Sequence, residues 1–173
     1  MFGIQIRFLS FFFALIAALS FLNIIYSYYL NLYLNLDTYY LSLIVSLLIS
    51  IIFYKLNISK KKVNIYDKIL TVFLGYLLLP LVISIPFYFS IYNLTFLNSF
   101  FEAISGFTST GFTVFENIKH IDQSLILWRS TTQWLGGLYF LFSIIFLIDI
   151  YDDSIKKTLT NFISFNSAEI FKQ

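Results

Sequence analysis

Residues 98–137 read NSFFEAISGFTSTGFTVFENIKHIDQSLILWRSTTQWLGG, and this stretch decides how the rest of the chain is interpreted. A short apolar run at residues 98–107 is followed by the polar, small-residue segment 108–113 (TSTGFT), and a long apolar run then opens at Leu125. Ten helical residues span about 15 Å, roughly half of the ~30 Å hydrocarbon core of a bilayer. The chain must therefore turn back at mid-depth. This order of segments predicts a half-length helix, a loop and a return helix.

The composition of the loop indicates what it could bind. Non-helical backbone at membrane depth is tolerated only where it is buried in protein or lines a water-filled cavity. Thr108, Ser109, Thr110 and Gly111 suit such a cavity, and Gly111 can adopt a positive φ that helps successive carbonyls to point the same way. Carbonyls aimed at one axis can replace the hydration shell of a cation. We expect the backbone oxygens of residues 108–111 to bind a cation, while the hydroxyl side chains support the loop or add an oxygen.

Three motifs in this order resemble the first pore-loop repeat of the bacterial Trk/Ktr potassium-uptake family, of the TrkH/KtrB type. Residues 101–108 (FEAISGFT) are similar to its pore helix, residues 108–111 (TSTG) to its filter strand, and residues 128–137 (WRSTTQWLGG) to the opening of its inner helix. The family repeats a unit of outer helix, pore helix, filter loop and inner helix four times in one chain. The resemblance is clear over residues 67–150.

The resemblance implies an all-α integral membrane fold with two N-terminal transmembrane helices and one such repeat. The chain would supply one quarter of a selectivity filter. Because a carbonyl filter needs about four loops, the remaining repeats or other copies of the chain are expected as partners. A cytoplasmic nucleotide-binding regulatory subunit is implied as well. The chain is then a fragment, a split-gene product or an associating subunit, and we favour a fragment.

The composition agrees with a membrane location and narrows the functional class. Of 173 residues, 59% are hydrophobic and 12% charged, and the mean hydropathy is +0.83. Such values are typical of integral membrane proteins. The net charge of +2 is too small to indicate a nucleic-acid partner. With no cysteine and a single histidine, we expect neither an enzyme nor a bound cofactor, and K⁺ would be the substrate.

Four long apolar runs predict membrane-spanning helices, at residues 8–30, 39–56, 69–91 and 125–150. The first could be a secretory signal, but it exceeds the usual core of about 7–15 residues, so a retained helix is favoured. The lysines within residues 55–68 predict a cytoplasmic loop by the positive-inside rule. That orientation places the N-terminus in the cytoplasm, and the family resemblance implies the inner (plasma) membrane.

The predicted organisation has three parts. Residues 1–66 hold the N-terminal helix pair and the basic loop, and residues 67–154 hold the pore-loop repeat. Residues 155–173 form a cytoplasmic tail or the start of a missing second repeat. Two alternatives to ion transport remain: a non-conducting membrane scaffold or accessory subunit, or a truncated non-functional fragment.

Two charged residues are candidates for supporting the loop. Glu102 lies near the start of the short helix, where the helix dipole favours a carboxylate, and we favour an anchoring role over ion binding. Arg129 and Gln133 share one face of the return helix. Arg129 is expected to brace the loop by bonding its carbonyls or by pairing with Glu102. It could instead extend to the interface beside Trp128 and Trp134 in an aromatic belt.

Smaller signals complete the set of candidates. Gly136 and Gly137 lack side-chain bulk, which allows close approach to the short helix or a bend. Asn23 is expected to hydrogen-bond between helices. The following residues form an outer turn that is more typical of solvated surface than of a metal site: Glu116, Lys119, His120 and Asp122.

Overall fold

The computed structural model describes residues 6–56, 65–90, 92–116 and 121–148, and in these ranges the chain is helical and contains no strand. The helices are α1 (Ile6–Tyr29), α2 (Leu36–Lys55), α3 (Ile65–Ile83), α4 (Ile85–Tyr88), α5 (Phe96–Phe107) and α6 (Gln123–Ile148). Helices long and apolar enough to cross a membrane cover Ile6–Tyr29, Leu36–Lys55, Tyr66–Tyr88 and Gln123–Leu147. The predicted all-α integral membrane fold is therefore confirmed, with a short helix between the third and fourth spans.

Some predictions fall outside this description. The tail at residues 155–173 and the adjacent lysines 60–62 lie outside the described residues. The division at residues 66 and 154 and the cytoplasmic N-terminus stay predictions.

The helices α1 and α2 form an antiparallel pair whose contact is lined by small hydroxyl side chains. Every fourth residue of α2 from Thr38 to Ser50 is a buried serine or threonine. The Ser10 hydroxyl donates to the Ser50 carbonyl at 2.8 Å, and the Ser50 hydroxyl donates to the Ser10 carbonyl at 2.9 Å. The Ser20 hydroxyl donates to Ser42 Oγ at 3.2 Å. Small polar side chains let membrane helices approach closely, so these serines and threonines allow α1 and α2 to pack tightly.

The third span is interrupted at Ser84, between α3 and α4. Pro80 lies within α3, and Pro86 lies in the first turn of α4. Proline has no amide N–H, so it removes one helical hydrogen bond and favours a helix start over a helix interior. The indole N–H of Trp128 on α6 donates to the Ile83 carbonyl at 3.1 Å. A neighbouring helix thus satisfies a backbone group at the break, as membrane interiors require.

Three aromatic rings join α3, α5 and α6 beneath the end of the short helix. The ring of Phe107 lies 5.6 Å from that of Tyr76 and 5.3 Å from that of Tyr139. The Tyr139 hydroxyl donates to the Val72 carbonyl at 2.9 Å. Gly75 makes this possible, because a Cβ there would lie 1.8 Å from the Tyr139 hydroxyl oxygen. This packing fixes where α5 ends.

Candidate functional site

The short helix α5 ends against the middle of α6. Its 12 residues correspond to about 18 Å, well short of a full span. A Cβ on Gly136 would lie 1.7 Å from the Phe107 carbonyl oxygen, so the last residue of α5 touches the backbone of α6 directly. Gly136 is close to the midpoint of α6. Gly137 has no atom within 4 Å of the position of its Cβ, so the close approach involves Gly136 alone.

Residues 108–113 leave the helix and form an exposed turn. Ser109 has φ 56° and Gly111 has φ 81°, both in the left-handed region that ends many helices. The amides of Thr110 and Gly111 both donate to the Ser105 carbonyl, at 3.1 and 3.4 Å, instead of continuing the helical ladder. The positive φ of Gly111 agrees with the prediction made from its missing Cβ. Ser109 takes the same conformation, which is uncommon for a residue with a side chain.

The backbone oxygens of the turn differ in how they are used. Among the bonds formed within the described part of the chain, the carbonyls of Thr108, Ser109 and Thr110 accept none. The Gly111 carbonyl accepts a hydrogen bond from Arg129 Nη2 at 3.0 Å. Three successive oxygens are therefore not bonded by any described residue, and the fourth is bonded by a guanidinium.

The hydroxyl side chains of the turn point their protons at protein carbonyls. Thr108 Oγ1 donates to the Ile104 carbonyl at 2.8 Å, and Thr110 Oγ1 donates to the Ser105 carbonyl at 3.1 Å. Ser109 Oγ donates to the Gln133 carbonyl at 3.4 Å, a long hydrogen bond. In this arrangement the three side chains support the loop.

Glu102 forms a buried ion pair with Arg129. Its side chain is fully buried, and Oε1 lies 2.7 Å from Arg129 Nε. The carboxylate also accepts from the Thr113 hydroxyl at 3.1 Å and from the Val114 amide at 3.0 Å. The expected position of Glu102 near the helix start was wrong, because it lies in the middle of α5. Arg129 and the returning chain stabilise its charge there, rather than the helix dipole, which acts mainly within the first turn.

Arg129 reaches the loop as well as the carboxylate. Nη2 donates to the carbonyls of Gly111 and Phe112, at 3.0 and 3.1 Å. The structure therefore combines the two bracing arrangements that the sequence suggested for this residue. Trp128 does not lie in an aromatic belt, since it is 1% exposed and bonded to Ile83, whereas Trp134 is 59% exposed. Arg129 and Gln133 both line a small cavity of ≈ 90 Å³ that Phe87 and Phe115 also line.

Ser105 is a site residue that the sequence reasoning missed. It is 3% exposed, and its hydroxyl donates to the Phe112 carbonyl at 2.6 Å. Its own carbonyl accepts from the Thr110 hydroxyl and from the Thr110 and Gly111 amides. Its position in the last turn of the short helix was the available signal, because a serine there can reach a chain that turns back.

The outer turn before α6 is tied to the N-terminal helix pair. Asp122 Oδ2 accepts from Asn35 Nδ2 at 3.0 Å and from the Ser124 hydroxyl at 2.6 Å. Asn23 Nδ2 donates to the Ser124 carbonyl at 3.2 Å, and the Tyr39 hydroxyl lies 3.0 Å from Ser124 Oγ. The expectation that Asp122 is part of a solvated turn was therefore wrong, whereas the interhelical role of Asn23 is observed.

The same turn shows no metal centre in the part of the chain that the structure describes. Across those residues, no group of three histidine, cysteine, aspartate or glutamate side chains could hold a metal ion. Lys119 and His120 of the turn lie outside the described residues.

A protein-family model described as TrkH, a cation transport protein, matches residues 37–161, well over half of the chain. An uncharacterised cation transporter of Methanocaldococcus jannaschii is 30% identical over 110 residues, which cover 62% of this chain and 23% of that protein. The Trk system potassium uptake protein TrkI of Halomonas elongata is 40% identical over 60 residues, covering 35% of this chain and 11% of that protein.

The Trk system potassium uptake protein TrkH of Escherichia coli is 33% identical over 81 residues, covering 46% of this chain and 17% of that protein. The matched part of this chain thus corresponds to 23% or less of the length of each of these relatives. No solved structure matches this chain.

Proposed function

Since the chain belongs to the TrkH family of cation transport proteins, we propose that it forms part of a K⁺-uptake pathway. In this proposal the backbone oxygens of Thr108, Ser109, Thr110 and Gly111 supply one quarter of a selectivity filter. The names of two relatives, potassium uptake proteins of Halomonas elongata and Escherichia coli, favour K⁺ over other monovalent cations.

One observation supports this proposal above the others. A short helix ends at the midpoint of a spanning helix, and the next three carbonyls accept no hydrogen bond within the described chain. A carbonyl without a partner is costly in hydrocarbon, so this segment belongs beside water, an ion or further protein. Carbonyl oxygens facing a wet axis can replace the hydration shell of a cation. The C-terminal end of α5 adds a partial negative charge beside the same oxygens.

The ion pair makes a cation site compatible with a guanidinium close by. Arg129 bonds the Gly111 carbonyl, and an uncompensated positive charge at that distance would repel a cation. Glu102 lies 2.7 Å from the guanidinium and cancels its charge. The pair thus holds the downstream end of the loop without adding net charge. Such support preorganises the loop for an ion.

The proposal includes partners and an orientation. One loop cannot surround an ion, so further pore-loop repeats or other copies of this chain would complete the ring. The protein would lie in the inner membrane with a cytoplasmic N-terminus, and a cytoplasmic nucleotide-binding subunit would regulate it.

The decisive test is Gly111→Ala in the complete coding region, expressed in a bacterial strain that lacks its own K⁺ uptake. No atom lies within 4 Å of a Cβ at Gly111, so the change acts through φ 81° alone. Alanine in the left-handed region costs about 1–2 kcal/mol, so rubidium uptake should fall about tenfold. Gly137→Ala, which also enters open space, is the matched control and should leave uptake unchanged.

Two results would overturn the proposal. Uptake that survives both Gly111→Ala and the more severe Gly111→Asp would exclude the loop as an ion site. A protein that assembles normally in the membrane and never transports would favour the non-conducting scaffold.

A further inference from the structure

Ser105 lies where the short helix and the loop are joined, and it bonds three successive residues of the turn, Thr110, Gly111 and Phe112. Its hydroxyl holds the Phe112 carbonyl at 2.6 Å, on the far side of the exposed oxygens. Its carbonyl accepts the amides of Thr110 and Gly111, within the turn itself. One buried residue therefore fixes the chain both within and immediately after the candidate ion site.

The Phe112 carbonyl is held from two directions. Ser105 Oγ and Arg129 Nη2 both donate to it, at 2.6 and 3.1 Å. Arg129 also holds the adjacent Gly111 carbonyl, so removing the guanidinium would release two residues and break the ion pair with Glu102. Removing the Ser105 hydroxyl would release its bond to Phe112 and its contact with the Thr110 hydroxyl, and would leave every charge in place. Ser105 therefore offers a cleaner test of loop geometry than the charged pair.

The Thr110 side chain extends the same set of contacts. Its hydroxyl donates to the Ser105 carbonyl at 3.1 Å and lies 3.2 Å from Ser105 Oγ. It also lies 3.2 Å from Thr108 Oγ1. The hydroxyls of Ser105, Thr108 and Thr110 thus form a connected chain of contacts.

We propose that Ser105 is a positioning residue that sets the ion selectivity of this loop without touching the ion. This inference rests on the proposed function of residues 108–111. Selectivity between K⁺ and Na⁺ depends on the spacing and field of coordinating carbonyls. A loop released at Phe112 can close around the smaller ion, so the preference for K⁺ over Na⁺ should fall.

The primary experiment compares Ser105→Ala with Ser99→Ala in the complete protein. Ser99 is the matched control because it lies on the same helix, is fully buried, and within the described part of the chain its hydroxyl bonds only to the Thr95 carbonyl. Rubidium uptake is measured in competition with K⁺ and with Na⁺, and the apparent KM and maximal rate are determined separately at equal protein in the membrane. Ser105→Ala should lower the preference for K⁺ about fivefold, the scale of one lost hydrogen bond, and Ser99→Ala should not.

Two results of this comparison would overturn the inference. One is an unchanged preference in Ser105→Ala. The other is an equal fall in maximal rate for both variants with the preference retained, because that pattern indicates a purely structural role.

A second pair of variants covers the case in which Ser105→Ala fails to reach the membrane. Thr110 is exposed, and its hydroxyl contacts Ser105. Thr110→Val removes this hydroxyl, and Thr110→Ser retains it. Thr110→Val should shift the preference in the same direction, and Thr110→Ser should shift it less, because it keeps the hydroxyl that contacts Ser105. When both single variants fold, the double variant should lose less than the sum of the two effects. An unchanged preference in Thr110→Val, or strictly additive effects, would contradict the inference.

The failure of this inference differs from the failure of the proposed function. If Gly111→Ala lowers uptake about tenfold while the Ser105 and Thr110 variants keep the wild-type preference, only the role of Ser105 is rejected. If Gly111→Ala leaves uptake unchanged, the loop is not an ion site and the premise itself is rejected.

Discussion

The contact between α1 and α2 and the turn after α5 are both rich in serine and threonine, yet the two regions use them differently. In the helix pair, Ser10 and Ser50 bond to each other's carbonyls across two regular helices. In the turn, Ser105 and Thr110 bond across a chain that has left the helix. The comparison shows that hydroxyl-rich composition alone does not identify a binding site. The two regions differ in the backbone that carries the hydroxyls, which is helical in the helix pair and non-helical in the turn.

The two regions also differ in charge. The hydroxyl contacts between α1 and α2 involve neutral side chains alone, whereas the turn is held by the buried Glu102–Arg129 pair. Charges in a membrane interior are costly and usually mark function. We expect substitutions in the turn to have larger effects than matched substitutions in the helix pair, and three experiments test this ranking.

The largest effect is expected for Glu102→Gln. Breaking a buried ion pair by removing one partner typically costs about 3–5 kcal/mol, because the other charge is left without compensation. The guanidinium would then also repel a cation at the neighbouring carbonyls. Thermal unfolding of the purified protein in detergent should show a loss of about 3 kcal/mol, and rubidium uptake should be abolished.

The exposed Glu116 provides the control for this experiment, since Glu116→Gln lies after the loop and should change little. The double variant Glu102→Gln with Arg129→Gln should recover part of the stability, because no unpaired charge remains. If Glu102→Gln and Glu116→Gln unfold at the same temperature, the Glu102–Arg129 pair contributes nothing to stability. The turn and the helix pair would then differ only in backbone conformation.

An intermediate effect is expected for Gly136→Ala. The added Cβ would lie 1.7 Å from the Phe107 carbonyl oxygen, which is backbone and cannot swing away. Overpacking of this kind costs about 1–3 kcal/mol and should displace the end of α5 from α6. Gly137→Ala should be neutral or slightly stabilising, since alanine favours helix and the site is open. Similar unfolding temperatures for the two variants would indicate that α5 does not pack as described.

The smallest effect is expected in the helix pair, for Ser50→Ala. Interhelical hydrogen bonds in membranes average about 0.6 kcal/mol, because the separated helices find other partners. Ser46→Ala is the control, since Ser46 is also buried on the same face and, among the described residues, its hydroxyl bonds only within its own helix. Unfolding in detergent should rank Ser50→Ala slightly below Ser46→Ala, and uptake by both variants should match the wild type. A loss of selectivity in Ser50→Ala would remove the distinction between the two regions.

Much of this architecture could be predicted from local patterns. The four spans follow from apolar runs, and the predicted limits differ from the observed ones mainly at the helix ends. The short helix was predicted at residues 98–107 and is observed as Phe96–Phe107. The break at Ser84 agrees with the positions of Pro80 and Pro86. These features depend on hydropathy and backbone chemistry within a few residues, which a sequence displays directly.

The polar contacts were harder to predict, because they join distant parts of the chain. Asn35 meets Asp122, and Asn23 meets Ser124, across the N-terminal pair and the start of α6. The sequence pattern consequently indicated a solvent-exposed position for Asp122 and a position in an interfacial aromatic belt for Trp128. Ser105 looked like an ordinary helical serine. Nothing in the local pattern reports which helix face meets which neighbour.

The sequence by itself determined that this is a multi-pass, all-α membrane protein of the TrkH family with one half-length helix followed by a small-residue loop. Those properties depend on hydropathy, segment length and ordered motifs. The tertiary structure decided that Gly136 rather than Gly137 contacts Phe107, that Glu102 is buried against Arg129, and that Ser105 bonds the turn through residues 110–112. The physical reason is that close packing fixes the rotation and depth of each helix, and only that choice determines which side chains meet.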